Sequence, residues 1–225
     1  MNYEELQIKL DKSSSFRKKE IGNLSSQINS VEGEIQRALL RSSFILLYSH
    51  FEGFTKESIR LYLKHINSRN IPIKNVGYYL QTLFHTKKII DVRKSNRKIK
   101  YNELITAMLL EDTVLFKVDE LDGDIVSTEG NLKFSVIEDL LFLLGFTIDE
   151  FNLKSNDKSL RTKEQFINRN IVKVRNQIAH GENIPVTLLQ YNEVESFIID
   201  FINTLSEEIA QVCSNKLYLI PDHAS

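Results

Sequence analysis

Apolar residues recur at helical intervals along most of the chain. From Glu164 onward, Ile167, Ile171, Val174 and Ile178 follow the i, i+4, i+7, i+11 spacing of one buried helical stripe. Gly181 supplies the left-handed cap that ends such a helix, and Pro185 cannot continue it. Thr187 then caps a last long helix, in which Leu188, Tyr191, Val194, Phe197, Ile198, Phe201, Ile202, Leu205, Ile209 and Val212 make a broad apolar face. At the other end, Leu6, Leu10, Ile21, Leu24, Ile28 and Val31 predict a thinly apolar helix, with Ser13-Ser14-Ser15 as its expected break. The segment from Glu34 to Asn67 repeats small residues, Ala38, Ser42, Ser49 and Gly53, along one side. A mid-helix glycine costs about 1 kcal/mol against alanine, so Gly53 predicts a close approach by a neighbouring helix. Phe134 to Phe146 is hydrophobic nearly all round and reads as a central helix stopped by Gly145. The pattern is that of an all-α bundle with core helices at about 3–67, 133–146, 161–180 and 187–213.

The middle third, about 71–130, is less regular and reads as a partly helical insertion into one domain spanning 1–225. Asn75–Phe84 and Tyr101–Leu110 are its predicted helices. Between them lie Lys87, Lys88, Arg93, Lys94, Arg97, Lys98 and Lys100, either a solvated loop or an arm touching RNA phosphates. Val114–Val118 alternates too briefly to define a strand, and Asp119–Asp124 is acidic and turn-like. Asn152–Ser159 reads as a loop. The tail from Lys216 is expected to dock through Leu217-Tyr218-Leu219-Ile220 and then fray.

On a wheel of roughly 100° per residue, Val172, Arg175, Asn176, Ala179 and His180 fall opposite the buried stripe. Apolar residues among polar ones on an outward face predict a second burial surface, for which another copy of the chain is the simplest occupant. A guanidinium matches phosphate oxygens, and an imidazole exchanges protons near neutral pH, so Arg175 and His180 together suit phosphodiester cleavage. Arg169, on nearly the same face, and Lys173 are candidates for holding RNA. Glu52 lies between Phe51 and Phe54, and either points to solvent or needs a buried partner such as an Arg or His of the late helix. His50 reads as a core or boundary residue.

With 29 basic and 30 acidic residues, no global field draws the chain to nucleic acid. Its one cysteine, Cys213, excludes an internal disulfide and is compatible with a reducing cytosol. Neither an export signal nor a membrane span is predicted, and the expected location is cytoplasmic. No phosphate-binding glycine loop, HExxH, paired-cysteine spacing or GxSxG is present, so neither cofactor nor metal is expected.

The string RNQIAHGE, with Arg175, Asn176 and His180, resembles the Arg-x4–6-His signature of the HEPN superfamily, as found in a stand-alone prokaryotic subgroup. Leu46–Lys56, LLYSHFEGFTK, is similar to the early helix of that subgroup. The resemblance implies an all-helical, metal-independent endoribonuclease of toxin or antiviral type. It also implies a homodimer whose paired Arg and His residues line one cleft, open to control by an antitoxin or other regulatory protein. In that reading His180 moves protons, Arg175 neutralises phosphate charge and Asn176 orients either group. Some relatives are non-catalytic modules that bind a protein or nucleotide, and that alternative stays open. One branch, silenced by adenylylation, carries a Tyr two residues after the His, where this chain has Glu182.

Overall fold

The computed structural model of the chain describes residues 1–95, 97–109, 114–128, 130–155 and 158–221. Three long helices, α1 (Tyr3–Asn29), α2 (Gly33–Asn67) and α7 (Leu188–Ser214), pack on one another and form about half of the core. The fold is all-α, with a single two-residue hairpin among the described residues. A capping box starts α1: Asn2 Oδ1 accepts from the Glu5 amide at 2.8 Å, and Glu5 Oε2 accepts from the Asn2 amide at 3.0 Å.

The expected break at Ser13-Ser14-Ser15 is absent, and α1 runs straight through it. Ser13 and Ser14 are buried, and Ser13 Oγ donates to Glu57 Oε2 of α2 at 2.7 Å. The partner helix occupies the hydroxyl that would otherwise compete for the local backbone. Gly53 is crowded as expected, but by a side chain. Arg17 of α1 pairs with Glu57 at 3.0 Å, and its Nη2 would lie 3.3 Å from a Cβ at position 53. Further along α2, Phe51 meets Phe201 of α7 edge-on, with 4.9 Å between ring centres.

The helix expected at about 133–146 is shorter and one-sided. α5 (Phe134–Phe142) buries Phe134, Val136, Ile137, Leu140 and Leu141 but exposes Phe142. Gly145, at φ +84°, lets the Phe146 amide bond back to the Leu141 carbonyl and closes the helix. In the middle third, a 3-10 turn (Ile73–Asn75) precedes α3 (Tyr78–Lys94) and α4 (Lys98–Leu109). The basic run is therefore mainly helical rather than a loop, and the expected last residue of its second helix, Leu110, lies outside the described residues. Val114–Val118 lies against the segment after α2: the Ile73 amide donates to the Val114 carbonyl, and the Phe116 amide to the Ile71 carbonyl, both at 2.8 Å. The tail docks through Ile220, whose amide reaches the Asn75 carbonyl, while 222–225, where fraying was expected, lie outside the described residues.

The expected loop 152–159 contains the hairpin, β1 (Asn152–Leu153) against β2 (Lys158–Ser159), with 156–157 outside the described residues. A 3-10 turn (Leu160–Lys163), a π-helical stretch (Phe166–Lys173) and α6 (Val174–Ala179) follow. The late helix is thus not uniformly α. The wider π turns change the phase of the wheel, and Val172, expected outside, is buried in its own chain at 4 % exposure.

Candidate functional site

The motif sits where α6 ends. Gly181, at φ +81°, takes the left-handed position, so that the Glu182 amide bonds to the Gln177 carbonyl and the Gly181 amide to that of Ile178. These two bonds make a Schellman cap. They hold His180 as the C-cap residue just past the last helical residue, Ala179, with its side chain exposed. The loop beyond is tied down by Arg41 of α2, whose Nη2 donates to the Glu182 carbonyl at 2.7 Å, and by Gln177 Nε2, which donates to the Glu182 carboxylate at 2.7 Å.

A groove of about 560 Å³ opens beside this end, lined by Asn176, His180, Lys173, Lys133 and Arg161 among others. Glu138, Glu164 and Glu182 also line it, so three carboxylates face three cations and the groove has little net field. Arg161 is further engaged by Asp149 at 3.0 Å and Glu138 at 3.1 Å. Asn168 helps to shape the wall, because its Oδ1 accepts from the Phe134 amide at 3.0 Å and caps α5 from the neighbouring helix.

Arg175 is half-buried and turned from the groove lining toward α2. Its guanidinium carbon lies 4.4 Å from the centre of the Tyr48 ring, a cation–π contact. Nη1 donates to Asn176 Oδ1 at 2.8 Å and to Asn131 Oδ1 at 3.1 Å. Among the described residues both hydrogen bonds use that one nitrogen. The Asn176 bond joins Arg175 to a groove-lining residue, so the Arg175–Asn176 pair bridges the buried network and the open face.

Beneath the guanidinium, Tyr48 is fully buried. Its hydroxyl accepts from the Leu132 amide at 2.6 Å. Burial pushes the phenol up to about 12; the Leu132 amide opposes this, the charge of Glu52 and a hydrogen bond to it add to it, and Arg175 lowers it slightly. Glu52 Oε1 accepts from Thr128 Oγ1 at 2.6 Å and lies 3.7 Å from Lys56 Nζ. Glu52 therefore does have partners, Thr128 and Lys56, and among the described residues it makes no ion pair with an Arg or His of the late helix. Lys173 is exposed in the groove, whereas Arg169 is exposed outside its lining. His50 is buried, with Nε2 3.0 Å from Glu20 Oε2 of α1. Sequence reasoning missed Tyr48, Asn131, Thr128 and Arg41 as parts of the site. Only Tyr48, one helical turn before Glu52, carried a signal.

Among the described residues, no three His, Cys, Asp or Glu side chains gather as a metal site, and no helix is long and apolar enough to cross a membrane. The all-α fold and the Arg-x4-His at the end of a late helix agree with a HEPN domain, a class whose members are commonly RNases and to which the family comparison assigns the chain. The chain belongs to the family described as RiboL-PSP-HEPN, whose model matches residues 12–211. No curated protein and no solved structure matches it significantly.

Proposed function

We propose that this protein is a metal-independent endoribonuclease of the toxin or antiviral kind, acting as a homodimer across the paired ends of α6. The observation that carries this reading is the Arg175–Asn176 pair: a guanidinium held on Tyr48 and tied by a 2.8 Å bond to a residue that lines the same groove as the exposed His180. In the proposed step an imidazole of His180 takes the proton of a ribose 2′-hydroxyl, whose oxygen attacks the adjacent phosphorus. The P–O5′ bond breaks, and O5′ takes a proton from the imidazolium of the second copy. The products are a 2′,3′-cyclic phosphate and a 5′-hydroxyl end. Arg175 stabilises the added phosphate charge, Asn176 orients the guanidinium, and Lys173 holds the flanking phosphate, with Arg169 further out. Glu52 acts at one remove by holding Tyr48. A cognate antitoxin or regulatory protein would act by covering this face.

The test is purified protein with mixed RNA in excess chelator. Wild type is expected to cleave and leave cyclic phosphate ends, a 2′-deoxy substitution at the cut to block it, and Arg175→Ala and His180→Ala each to lose on the order of 10²-fold or more while keeping the wild-type mass by light scattering. Cleavage by both variants at the wild-type rate overturns the assignment. A non-catalytic dimeric module for a protein or nucleotide is the second reading. It is favoured by one fact, that Arg175 faces Tyr48 and Asn131 rather than the groove.

A further inference from the structure

Of the three carboxylates that line the groove beside His180, two are engaged within the chain. Glu138 lies 3.1 Å from Arg161, and Glu182 accepts from Gln177 at 2.7 Å. The third, Glu164, is exposed, and among the described residues neither of its oxygens has a partner. A free carboxylate is an unexpected lining for a groove that holds a polyanion, because it repels phosphate. What it offers instead is a pair of adjacent oxygens that accept two parallel N–H bonds.

Asn168 lines the same groove four residues further along. Side chains at that separation share one side of a helix, with their Cβ atoms about 5–6 Å apart, close to the span of one base edge. The orientation of the Asn168 carboxamide is fixed from behind. The Phe134 amide donates to Oδ1 at 3.0 Å, and an N–H can bond only to the oxygen of a carboxamide. Nδ2 is therefore the atom turned from α5, and among the described residues it has no acceptor. The pair thus presents a two-oxygen acceptor beside a fixed donor.

We infer that Glu164 and Asn168 determine specificity in a guanine-reading subsite of this groove, the carboxylate accepting from N1–H and N2–H of the base and the Asn168 amide donating to O6. The inference rests on the proposed function in taking single-stranded RNA as the ligand, whose unstacked bases offer their Watson–Crick edges.

Guanine alone sets two adjacent donors beside an acceptor on that edge. Adenine has one donor group, N6–H2, and leaves a carboxylate oxygen unmet. Uracil flanks its single N3–H with two carbonyl oxygens, one of which meets the carboxylate. A lysine or arginine side chain of a protein partner would satisfy Glu164, but it would face Asn168 Nδ2, Lys173 and Lys133 with nothing to accept from them. From Asn168 to His180 is twelve residues, no more than about 18 Å along the helix. The base that is read therefore lies away from the proposed cut, and a suitable probe is an oligomer.

The experiment is fluorescence polarisation with three labelled uridine pentamers that carry guanine, adenine or hypoxanthine at the central position. All have 2′-fluoro riboses, so that no 2′-hydroxyl is present to attack. Hypoxanthine is guanine without its N2 amino group. Wild type is expected to bind the guanine pentamer about tenfold or more tightly than the adenine one, with hypoxanthine between them. Glu164→Gln removes the charge and one acceptor. Asn168→Asp keeps an oxygen for the Phe134 amide, so the cap on α5 survives, and exchanges the donor for an acceptor. Each variant should bring the guanine-to-adenine ratio to within about twofold of one while its melting by circular dichroism stays that of wild type. A merely structural role would weaken all three pentamers alike and leave the ratio where it was. A wild-type ratio near one, hypoxanthine bound as tightly as guanine, a ratio that either variant leaves unchanged, or no measurable binding of any pentamer overturns the inference. Equal binding of all three by a protein that cleaves mixed RNA sinks this inference alone, whereas guanine selection without cleavage sinks the nuclease reading alone.

Discussion

Replacing Tyr48 with Phe tests whether the buried phenol holds the motif arginine's surroundings together. The ring stays, so the stack under Arg175 remains, and what goes is the oxygen that accepts from the Leu132 amide at 2.6 Å and bonds to Glu52. The Leu132 amide is then a buried donor without its partner, a loss of about 1–3 kcal/mol. Tyr48→Leu removes the ring as well. With the cation–π contact gone and a cavity left in a fully buried position, its cost rises to about 3–5 kcal/mol. Urea unfolding followed by circular dichroism measures both, with an unchanged slope confirming that stability alone has moved. The Arg175 Nε–Hε resonance separates the two effects, because ring current from a face 4.4 Å away shifts it upfield. It should stay shifted in Tyr48→Phe and relax in Tyr48→Leu. A Tyr48→Phe variant within 0.5 kcal/mol of wild type, an approximate bound set by the ordinary spread of neutral substitutions, would refute the network. So would an Arg175 resonance that ignores the loss of the ring.

Gly53→Ala should come out near neutral in wild type, because a helix-propensity gain of about 1 kcal/mol is offset by the shift forced on Arg17; in an Arg17→Ala background the gain should appear in full, and a double-mutant cycle by urea unfolding reads the difference. Gly181→Ala meets nothing within 4 Å but must hold φ +81°, so it should cost about 1 kcal/mol through the backbone alone, read as a lower urea midpoint. Burial, the largest cause, lowers the His50 and His65 imidazoles, against Glu20 and the Met1 and Asn2 backbone, with Arg17, Arg69 and the amino terminus lowering them further. The unfolded chain then binds more protons below about 6.5, so stability should be flat above that pH and fall as pH drops through it toward the folded values. The double variant His50→Asn, His65→Gln should flatten that fall between pH 7 and 5, and an unchanged slope would count against the buried imidazoles as its source.

The parts of the fold that were legible in the sequence are those governed by local rules. The apolar rhythm of α2 and α7, the glycine cap at Gly181 and the crowding at Gly53 each follow from a few neighbouring residues. The misreadings share a cause as well. Ser13-Ser14-Ser15 has the composition of a helix break, but Glu57, 44 residues away from Ser13, takes up one of the hydroxyls. The late helix was drawn on a wheel of constant pitch, and a π stretch at Phe166–Lys173 carries no compositional mark that would reveal a change of phase.

The same reasoning explains why the motif was easy to find and its setting was not. Arg175, Asn176 and His180 lie within six residues at the end of one short helix, and their spacing alone reveals them. What fixes the guanidinium comes from Thr128, Asn131 and Leu132, where the sequence has no periodicity to read: Thr128 bonds Glu52, Asn131 bonds Arg175, and the Leu132 amide bonds Tyr48. Those three bonds tie the end of the middle third to α2 and α6 at the one place where the charge of the motif is anchored. A perturbation that displaces Thr128, Asn131 and Leu132 therefore releases the arginine without touching the motif. A chain with RNxxAH intact but this clamp broken would keep the signature and lose the geometry on which the signature depends.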